Sequence, residues 1–219
     1  VTKELISYNH RLDKKKWVPF AKGGPFNKWY GNNWLLVNWY NNGEELKNFP
    51  KAVIRNEYYY FVKGITYSSS GSKGSSFRYL PENFLFSGGG PSITMKDGIP
   101  LLGYLCGFLN SNMCLYLLDC LNPTVNTTQG DLNRIPFIRP LKAYKEKVSC
   151  LVNQNIKIKK HLCSYHIIET NFKKTALTTF SDPALRDRIL SYLNYENAQL
   201  TLVLINEAII NQLVFDIYK

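Results

Sequence analysis

The sequence predicts an α+β protein in which a curved, loop-rich mixed β-sheet is followed by a helical tail. In the first 100 residues, aromatic β-prone runs such as 57–62 and 84–86 alternate with turn residues. In the second half, apolar side chains recur three and four positions apart, which is the spacing of one helical face. We therefore divide the chain into an α+β domain at residues 1–140 and a helical brace region at residues 141–219.

Turn residues indicate where the strands of the predicted sheet end. Glycine tolerates positive φ angles, and proline, asparagine and serine favour turns, so clusters of these residues mark tight turns and loops. Such clusters are Gly23-Gly24-Pro25, Asn41-Asn42-Gly43, Ser68–Ser76 and Gly88-Gly89-Gly90-Pro91. We expect Ser68–Ser76, here called the serine loop, to be flexible.

The helices are predicted from apolar spacing and from helix-start residues. The apolar run Leu101–Leu121 contains glycines, asparagines and a serine whose amides would lack partners in a bilayer, so we interpret it as a buried helix or helix pair. Residues 141–163 carry one apolar stripe. Ser181-Asp182-Pro183 has the pattern of a helix start, and the last helix is expected over about Glu196–Tyr218.

The five cysteines form no CxxC pair and their number is odd, which argues against a zinc site and against a disulfide framework. We expect reduced, mostly buried thiols, as in a cytoplasmic protein. The chain opens in a polar, basic stretch, so no secretory leader is expected.

The formal charge of +11 is concentrated in the first part of the chain. Residues 1–80 contain 13 Lys or Arg against 5 Asp or Glu, a net of +8. A basic surface attracts polyanions, because neutralised phosphates release condensed counterions. Nucleic acid is therefore one expected partner, and a solvated basic face without a partner is the alternative.

No self-contained active site is visible in the sequence. There is no HExxH, GxSxG or GxxxxGK[ST] motif, and Gly88-Gly89-Gly90 lacks the spacing of a dinucleotide fingerprint. Two of the three histidines, His161 and His166, are five residues apart, which does not stack them on one helical face as a metal pair. We predict no catalytic, cofactor-binding or metal-binding residue.

All four tryptophans fall between Trp17 and Trp39, interleaved with Lys14, Lys15, Lys16, Lys22 and Lys28. Lysines reach phosphates, and exposed aromatic rings pack on sugars or extruded bases. The alternative is that the tryptophans belong to the core of the sheet. The serine loop also allows two interpretations: it contacts DNA, or it is a surface loop without a partner.

Several segments together resemble the PglX-type methyltransferases of the BREX phage-exclusion systems. They are KWVPFAKGGPFNKWYGNN at 16–33, KGITYS at 63–68, FRYLP at 77–81, GFLNS at 107–111, LNPTVN at 121–126 and GDLNRIP at 130–136. A general form of the last pattern recurs in specificity subunits of type I restriction enzymes. The tail segment IETNF at 168–172 is also similar to a family segment.

The resemblance implies a DNA target-recognition region of an enzyme that methylates adenine N6 from S-adenosylmethionine. The family's glycine-rich cofactor motif and its NPPY tetrapeptide are not in this sequence, and Asn122-Pro123-Thr124-Val125 lacks the second proline and the aromatic residue. We therefore expect the chain to be inactive alone, without a cofactor of its own, beside an N-terminal methyltransferase domain. Double-stranded DNA and other phage-defence proteins are the further expected partners, in a bacterial cytoplasm and without a membrane.

The resemblance and the chemistry of the side chains together name candidate DNA contacts. The leading candidates for phosphate contact are Lys22, Lys28, Lys63, Lys73 and Arg78. The candidates for base-edge contact are Asn32, Asn33, Ser69 and Arg78. We assign the segment 122–135 mainly to structure, with Thr124 and Asn126 satisfying loop backbone and Gly130 permitting an unusual backbone angle. The alternative for this segment is a DNA contact by Thr127, Thr128 or Gln129.

Two other functions stay open at this point. One is the same module in a fused type II restriction–modification enzyme, which an upstream nuclease motif would indicate. The other is a protein-interaction module whose basic aromatic face binds an acidic partner. Duplex DNA should compete in the first case and should have no effect on a surface that binds only protein.

Overall fold

The computed structural model describes residues 16–95 and 101–219, so Lys14 and Lys15 lie outside the described residues. Strands come first and most of the helices follow, which confirms the α+β class. The described strands are β1 (Trp17–Ala21), β2 (Leu36–Asn38), β3 (Gly64–Tyr67), β4 (Phe77–Leu80), β5 (Leu85–Phe86) and β6 (Ser92–Ile93). The described α-helices are α1 (Tyr40–Lys47), α2 (Leu102–Leu109), α3 (Asn112–Leu121), α4 (Gln129–Arg134), α5 (Lys142–Cys163) and α6 (Leu185–Tyr218).

The strands form two three-stranded sheets, with the orders β2-β1-β5 and β4-β3-β6. In the first sheet β1 pairs antiparallel with β2 and parallel with β5, so this sheet is mixed. In the second, both pairings are antiparallel. The sequence predicted one sheet. The described strands are only two to five residues long and turns interrupt them, so they divide between two sheets. The curvature stays a prediction.

The aromatic run at 57–62 is not a strand, and that prediction was wrong. Glu57–Tyr59 forms a 3-10 helix; Asn56 before it and Phe61, two residues after it, lie in the left-handed region, with φ of 58° and 62°. These angles break extended backbone at both ends of the run. Tyr60 packs edge-on against Trp39 instead, with ring centroids 5.4 Å apart. The second aromatic run contains β5, as predicted.

The main hydrophobic core lies between the second sheet and the helices. Strand β3 is buried at all four positions, and its Ile65 joins Phe108 of α2, Val148 of α5 and Ile210 of α6 in one cluster. This core therefore combines residues from both sides of position 140. The proposed boundary between 1–140 and 141–219 remains a prediction, with extensive packing across it.

Glycine in α2 allows α5 to approach closely. A side chain at Gly107 would place its Cβ 2.6 Å from Val148 Cγ1 and 3.0 Å from Val152 Cγ2. Carbon atoms need about 3.5 Å or more for favourable contact. The glycine is thus required by packing between two helices, and the apolar run at 101–121 is the helix pair that the sequence indicated.

The long helices agree in part with their predicted bounds. Helix α5 matches the predicted stripe at 141–163. The predicted helix start at 181–183 and the predicted last helix at about 196–218 belong to one helix, α6, which has 34 residues and begins at Leu185. The N-cap of α6 is Ala184. Pro183 therefore lies outside the helix, and the prediction that it occupies the first helical position was wrong. Arg188 Nε in the first turns of α6 donates to Asp182 O. This hydrogen bond ties the segment Ser181-Asp182-Pro183 to the start of the helix.

Helix α6 is the one described helix that is long and apolar enough to cross a membrane, by length and composition alone. The most apolar part of the helix has a mean hydropathy of 1.6. A core helix of a soluble protein gives the same signal when it is mostly buried, but only 22% of this apolar part of α6 is buried. Val203, Ile210 and Val214 pack in the main core, whereas Leu202, Leu204 and Ile205 are exposed. The helix therefore carries one packed apolar stripe and leaves other apolar side chains on the surface.

Candidate functional site

Loops from distant parts of the chain meet beyond the end of β3. They are 22–28, the serine loop 68–76, 87–90 and 122–128, and we call them the loop cluster. Ser68 Oγ donates to the carbonyl of Gly24 at 2.8 Å, and the Ser69 amide donates to the carbonyl of Gly89 at 3.1 Å. These bonds join the first three loops.

The fourth loop is joined to the serine loop by its backbone. The Gly71 amide donates to Val125 O at 2.8 Å, and the Thr127 amide donates to Ser69 O at 2.9 Å. The hydroxyls of Ser75 and Thr127 are also in hydrogen-bond contact. These hydrogen bonds pair backbone groups of the two loops that no strand or helix satisfies.

The segment 122–131 is ordered by side chains acting on nearby backbone. Asn122 Nδ2 donates to Asn126 O and to Asp131 Oδ2, and Asp131 completes a capping box with Thr128. These hydrogen bonds lower the pKa of Asp131. The Asn126 amide donates to Thr124 Oγ1, which confirms the predicted backbone role of Thr124.

Gly130 does not behave as predicted. It lies in the first turn of α4 and is not among the described glycines with positive φ. Nothing but Thr128 Oγ1, at 3.5 Å, would be near an added side chain. The unusual backbone angle expected here is absent because Gly130 lies within a helix, where φ is negative.

Arg78 lies beneath the loop cluster and is 1% exposed. Its guanidinium donates to Asn27 O at 3.4 Å, Ser76 Oγ at 3.3 Å and Ser68 Oγ at 3.1 Å. Burial lowers the pKa of Arg78 from 12.5 to about 10, so the side chain is still a cation at neutral pH. It joins the 22–28 loop to the serine loop and does not reach solvent.

The candidates that remain accessible in the loop cluster are Lys22, Ser69 and Lys73. Lys22 is exposed and its backbone lies against Gly89. Lys73 is exposed within the turn closed by the bond from the Gly74 amide to Gly71 O. Ser69 is half-buried, with its hydroxyl 3.4 Å from Gly89 O. The fold therefore brings these three predicted contacts together.

Lys63 lies elsewhere. It precedes β3, whereas the serine loop follows it, and four strand residues separate them by roughly 13 Å along the strand. Lys63 lines a pocket of about 310 Å³ with Ile65, Tyr79 and Gly103. It is therefore not part of the loop cluster.

Lys28 is occupied by a structural ion pair. Its Nζ lies 3.1 Å from Glu207 Oε2 in α6, with both side chains largely buried. The same carboxylate accepts a hydrogen bond from Trp29 Nε1 at 2.6 Å. Trp29 itself is 1% exposed. This arrangement fastens the 28–29 segment to the last helix, and it removes Lys28 from the accessible candidates.

Asn32 and Asn33 are buried as well, and their backbone amides donate to one carboxylate. Glu169 accepts from Asn32 N at 3.1 Å and from Asn33 N at 3.2 Å. Asn32 Nδ2 donates to Pro25 O at 2.9 Å. Burial raises the pKa of Glu169 despite these hydrogen bonds. Neither asparagine presents its amide to solvent for base readout in this structure.

Sequence reasoning missed Glu169 and Glu207. Both lie more than 130 residues from their partners, so no local pattern connects them. The sequence held one indication of the Glu169 contact. The segments IETNF and KWYGNN both resemble motifs of one family, which is compatible with contact between them. The tryptophans divide, since Trp29 and Trp39 are core residues while Trp17 is 56% exposed.

The loop cluster supplies hydrogen-bond donors and positive charge. Lys22 and Lys73 form no ion pair with a described carboxylate. Within 16–95 and 101–219, no group of three or more His, Cys, Asp or Glu side chains could hold a metal ion. The chemistry that the cluster offers is binding of an acceptor-rich, anionic surface.

No family model matches the chain. Two curated proteins are similar to it. One is the adenine-specific methyltransferase BrxX of Escherichia coli O9:H4 (strain HS), 38% identical over 125 residues, which are 57% of this chain and 10% of that protein. The other is the adenine-specific methyltransferase PglX of Lacticaseibacillus casei (strain Zhang), 37% identical over 143 residues, which are 62% of this chain and 12% of that protein.

The chain thus spans about a tenth of the length of the curated relatives it matches. An identity of 37–38% over more than 120 residues agrees with the ordered motifs quoted from the sequence. Over some 60% of its length, this chain is homologous to the PglX-type adenine-specific methyltransferases.

Proposed function

We propose that this chain is the DNA sequence-recognition region of an adenine-N6 DNA methyltransferase that acts in bacterial anti-phage defence. The observation that carries the proposal is the loop cluster, which presents Lys22, Ser69 and Lys73 on backbone held by cross-loop hydrogen bonds. The methyltransferase part of the proposal is supported by the two relatives, which are both named adenine-specific methyltransferases. The parent acts in the bacterial cytoplasm.

Lys22 and Lys73 contact phosphates, and hydroxyls and backbone groups of the serine loop reach base edges. One well-placed bidentate contact discriminates between bases by about 1–3 kcal/mol, so few such contacts are needed. The rigid floor formed by Arg78 sets the position of the loops. Fixed loops bind with a smaller loss of conformational entropy than free ones.

Methyl transfer belongs to the rest of the parent protein. S-adenosylmethionine supplies the methyl group there, and the target adenine is turned out of the duplex at a cost of a few kcal/mol. The residues of this chain offset that cost by holding the duplex on both sides of the target. No step of the transfer is assigned to them, because the sequence contains neither NPPY nor the glycine-rich cofactor motif.

The proposal is tested by the salt dependence of duplex binding, measured by fluorescence anisotropy. The Lys22→Gln, Lys73→Gln double variant should bind more weakly and should reduce the slope of log K against log salt by about 2. The matched control is Lys51→Gln with Arg55→Gln, two exposed cations outside the loop cluster. Equal slopes for the two variants, or salt-resistant binding by the unmodified chain, would contradict the proposal.

A further inference from the structure

A second basic site lies at the C-terminal end of α5. A pocket of about 460 Å³ is bordered by Lys157, Lys160 and His161 of the helix and by Lys173 and Lys174 of the segment that follows it. All five side chains are exposed. The loop cluster includes none of them.

Hydrogen bonds hold the two halves of this pocket together. The Lys173 amide donates to Ser164 O at 3.0 Å, and Asn171 Nδ2 donates to Lys160 O at 2.9 Å. These bonds bring the returning segment beside the end of the helix. Lys157 and Lys160 are three residues apart and so share a helical face. The lysines therefore converge because of the fold and are not merely close in sequence.

No described carboxylate forms an ion pair with the four lysines of the pocket, whereas Lys28 and Lys47 each form one. The acidic residue between α5 and Lys173 is Glu169, which is buried and bound to Asn32 and Asn33. Four exposed ammonium groups around one cavity give a positive local potential, which attracts anions.

Helix geometry explains only part of this cluster. Cations in the last turn stabilise the partial negative charge of a helix C-terminus, and Lys160 and His161 occupy that turn. Lys173 and Lys174 lie about ten residues beyond the end of the helix. Their convergence on the same cavity requires another cause.

We propose that this pocket binds phosphates of the DNA backbone and forms a second contact with the duplex, separate from the loop cluster. The inference rests on the proposed function, and it extends the DNA-binding surface to the helical region. Lys160 also lies 5.8 Å from the Tyr30 ring, so the pocket is next to the segment that carries the KWYGNN motif. Lysine ammonium groups suit phosphate as mobile point charges without base preference.

The test compares the unmodified chain with a Lys173→Gln, Lys174→Gln double variant in the same duplex-binding titration. The slope of log K against log salt should fall by about 2, so the affinity lost between 50 and 200 mM salt should shrink about 10-fold. The control is Lys145→Gln with Lys147→Gln, which removes two charges from α5 about 15 Å from Lys157 along the helix. Its slope should stay closer to that of the unmodified chain.

The outcomes separate this inference from the proposed function. If the pocket variant behaves like its control while the Lys22, Lys73 variant loses slope, the pocket inference is overturned and the loop cluster stands. If only the pocket variant loses slope, the pocket is supported and the loop cluster is not. Competition with inorganic tripolyphosphate tests the source of the phosphate. Tripolyphosphate binding that the pocket variant loses, with duplex affinity unchanged, would overturn a DNA contact here.

Discussion

Arg78 is a buried cation whose partners are neutral oxygen atoms. Taking a charge out of water is costly, and burial lowers its pKa to about 10. Hydrogen bonds to charged groups contribute about 1.5–3 kcal/mol each, and Arg78 makes three of them to Asn27, Ser76 and Ser68. These bonds offset part of the cost of burial and link the loops, while Arg78 Nε is buried without a hydrogen-bond partner.

Replacing Arg78 with lysine separates a structural role from a DNA contact. Lysine keeps the charge, but its compact ammonium cannot span three acceptors as the guanidinium fork does. We expect Arg78→Lys to lower the free energy of unfolding by about 2 kcal/mol or more, measured in urea. Unchanged stability together with weaker DNA binding would assign Arg78 to the interface instead.

Glu169 is a buried carboxylate that accepts hydrogen bonds from two backbone amides. Glu169→Ala leaves the amides of Asn32 and Asn33 without an acceptor, which should cost about 2 kcal/mol or more. Glu169→Gln keeps a carbonyl acceptor and should cost less. Urea denaturation of both variants at neutral pH measures the difference, and equal losses would contradict the assignment.

The contribution of Glu169 to stability depends on pH, and the direction of the pKa shift fixes its sign. Because burial raises the pKa of Glu169 above its ordinary value of 4.5, the folded protein binds this proton more tightly than the unfolded chain does. Its contribution to stability is full below pH 4.5 and is lost as the pH rises through the folded pKa. The stability of Glu169→Gln relative to the unmodified chain should therefore rise above pH 4.5.

At the scale of elements, backbone contacts between loops determine the candidate site. Gly23 has a φ of 92°, and a side chain there would collide with the carbonyl oxygen of Gly89. The Ser69 amide donates to that same carbonyl. A tight approach of three loops thus depends on one residue without a Cβ.

Gly23→Ala should therefore disturb the loop cluster. We expect a loss of about 1–3 kcal/mol in unfolding free energy, from the strained φ and the displaced loop 87–90. Gly88→Ala is the matched control, because an added Cβ there meets nothing within 4 Å. Equal stability of the two variants would show that the loops can separate without cost.

Periodicity made the helices predictable, but distant contacts made the site unpredictable. The bounds of α5 followed from its apolar stripe, because repeats of three and four need only local sequence. The burial of Arg78 and Asn33 did not follow, since polar residues are usually exposed and only the fold places Glu169 beside Asn33. The aromatic run at 57–62 was misread because its rings pack into a core without forming a strand.

At the scale of the whole molecule, both halves of the chain share one core. Cys106 and Cys114 lie in that core, and Cys163 is buried at the end of α5. All five cysteines are free thiols, and Cys120 and Cys150 are exposed. Burial raises the pKa of the three buried thiols from 9.0 to about 12.

The buried thiols predict a loss of stability in alkali. Their folded pKa exceeds the unfolded value, so their contribution is full below pH 9 and is lost as the pH rises towards 12. Each thiol adds up to about 1.4 kcal/mol per pH unit to that loss. Urea denaturation at pH 8 and pH 10 should show a smaller difference for Cys114→Ala than for the exposed control Cys120→Ala. The same difference in both variants would exclude the buried thiol as the cause.

In the proposed function, DNA binds to surface loops that pack on the core. Hydrogen–deuterium exchange of the chain with and without duplex DNA tests this most directly, because it reports each segment separately. We predict slower amide exchange in 22–28, 68–76 and 87–90 on binding, and unchanged exchange in 50–56. Saturating DNA that leaves exchange in those three loops unchanged would contradict the account.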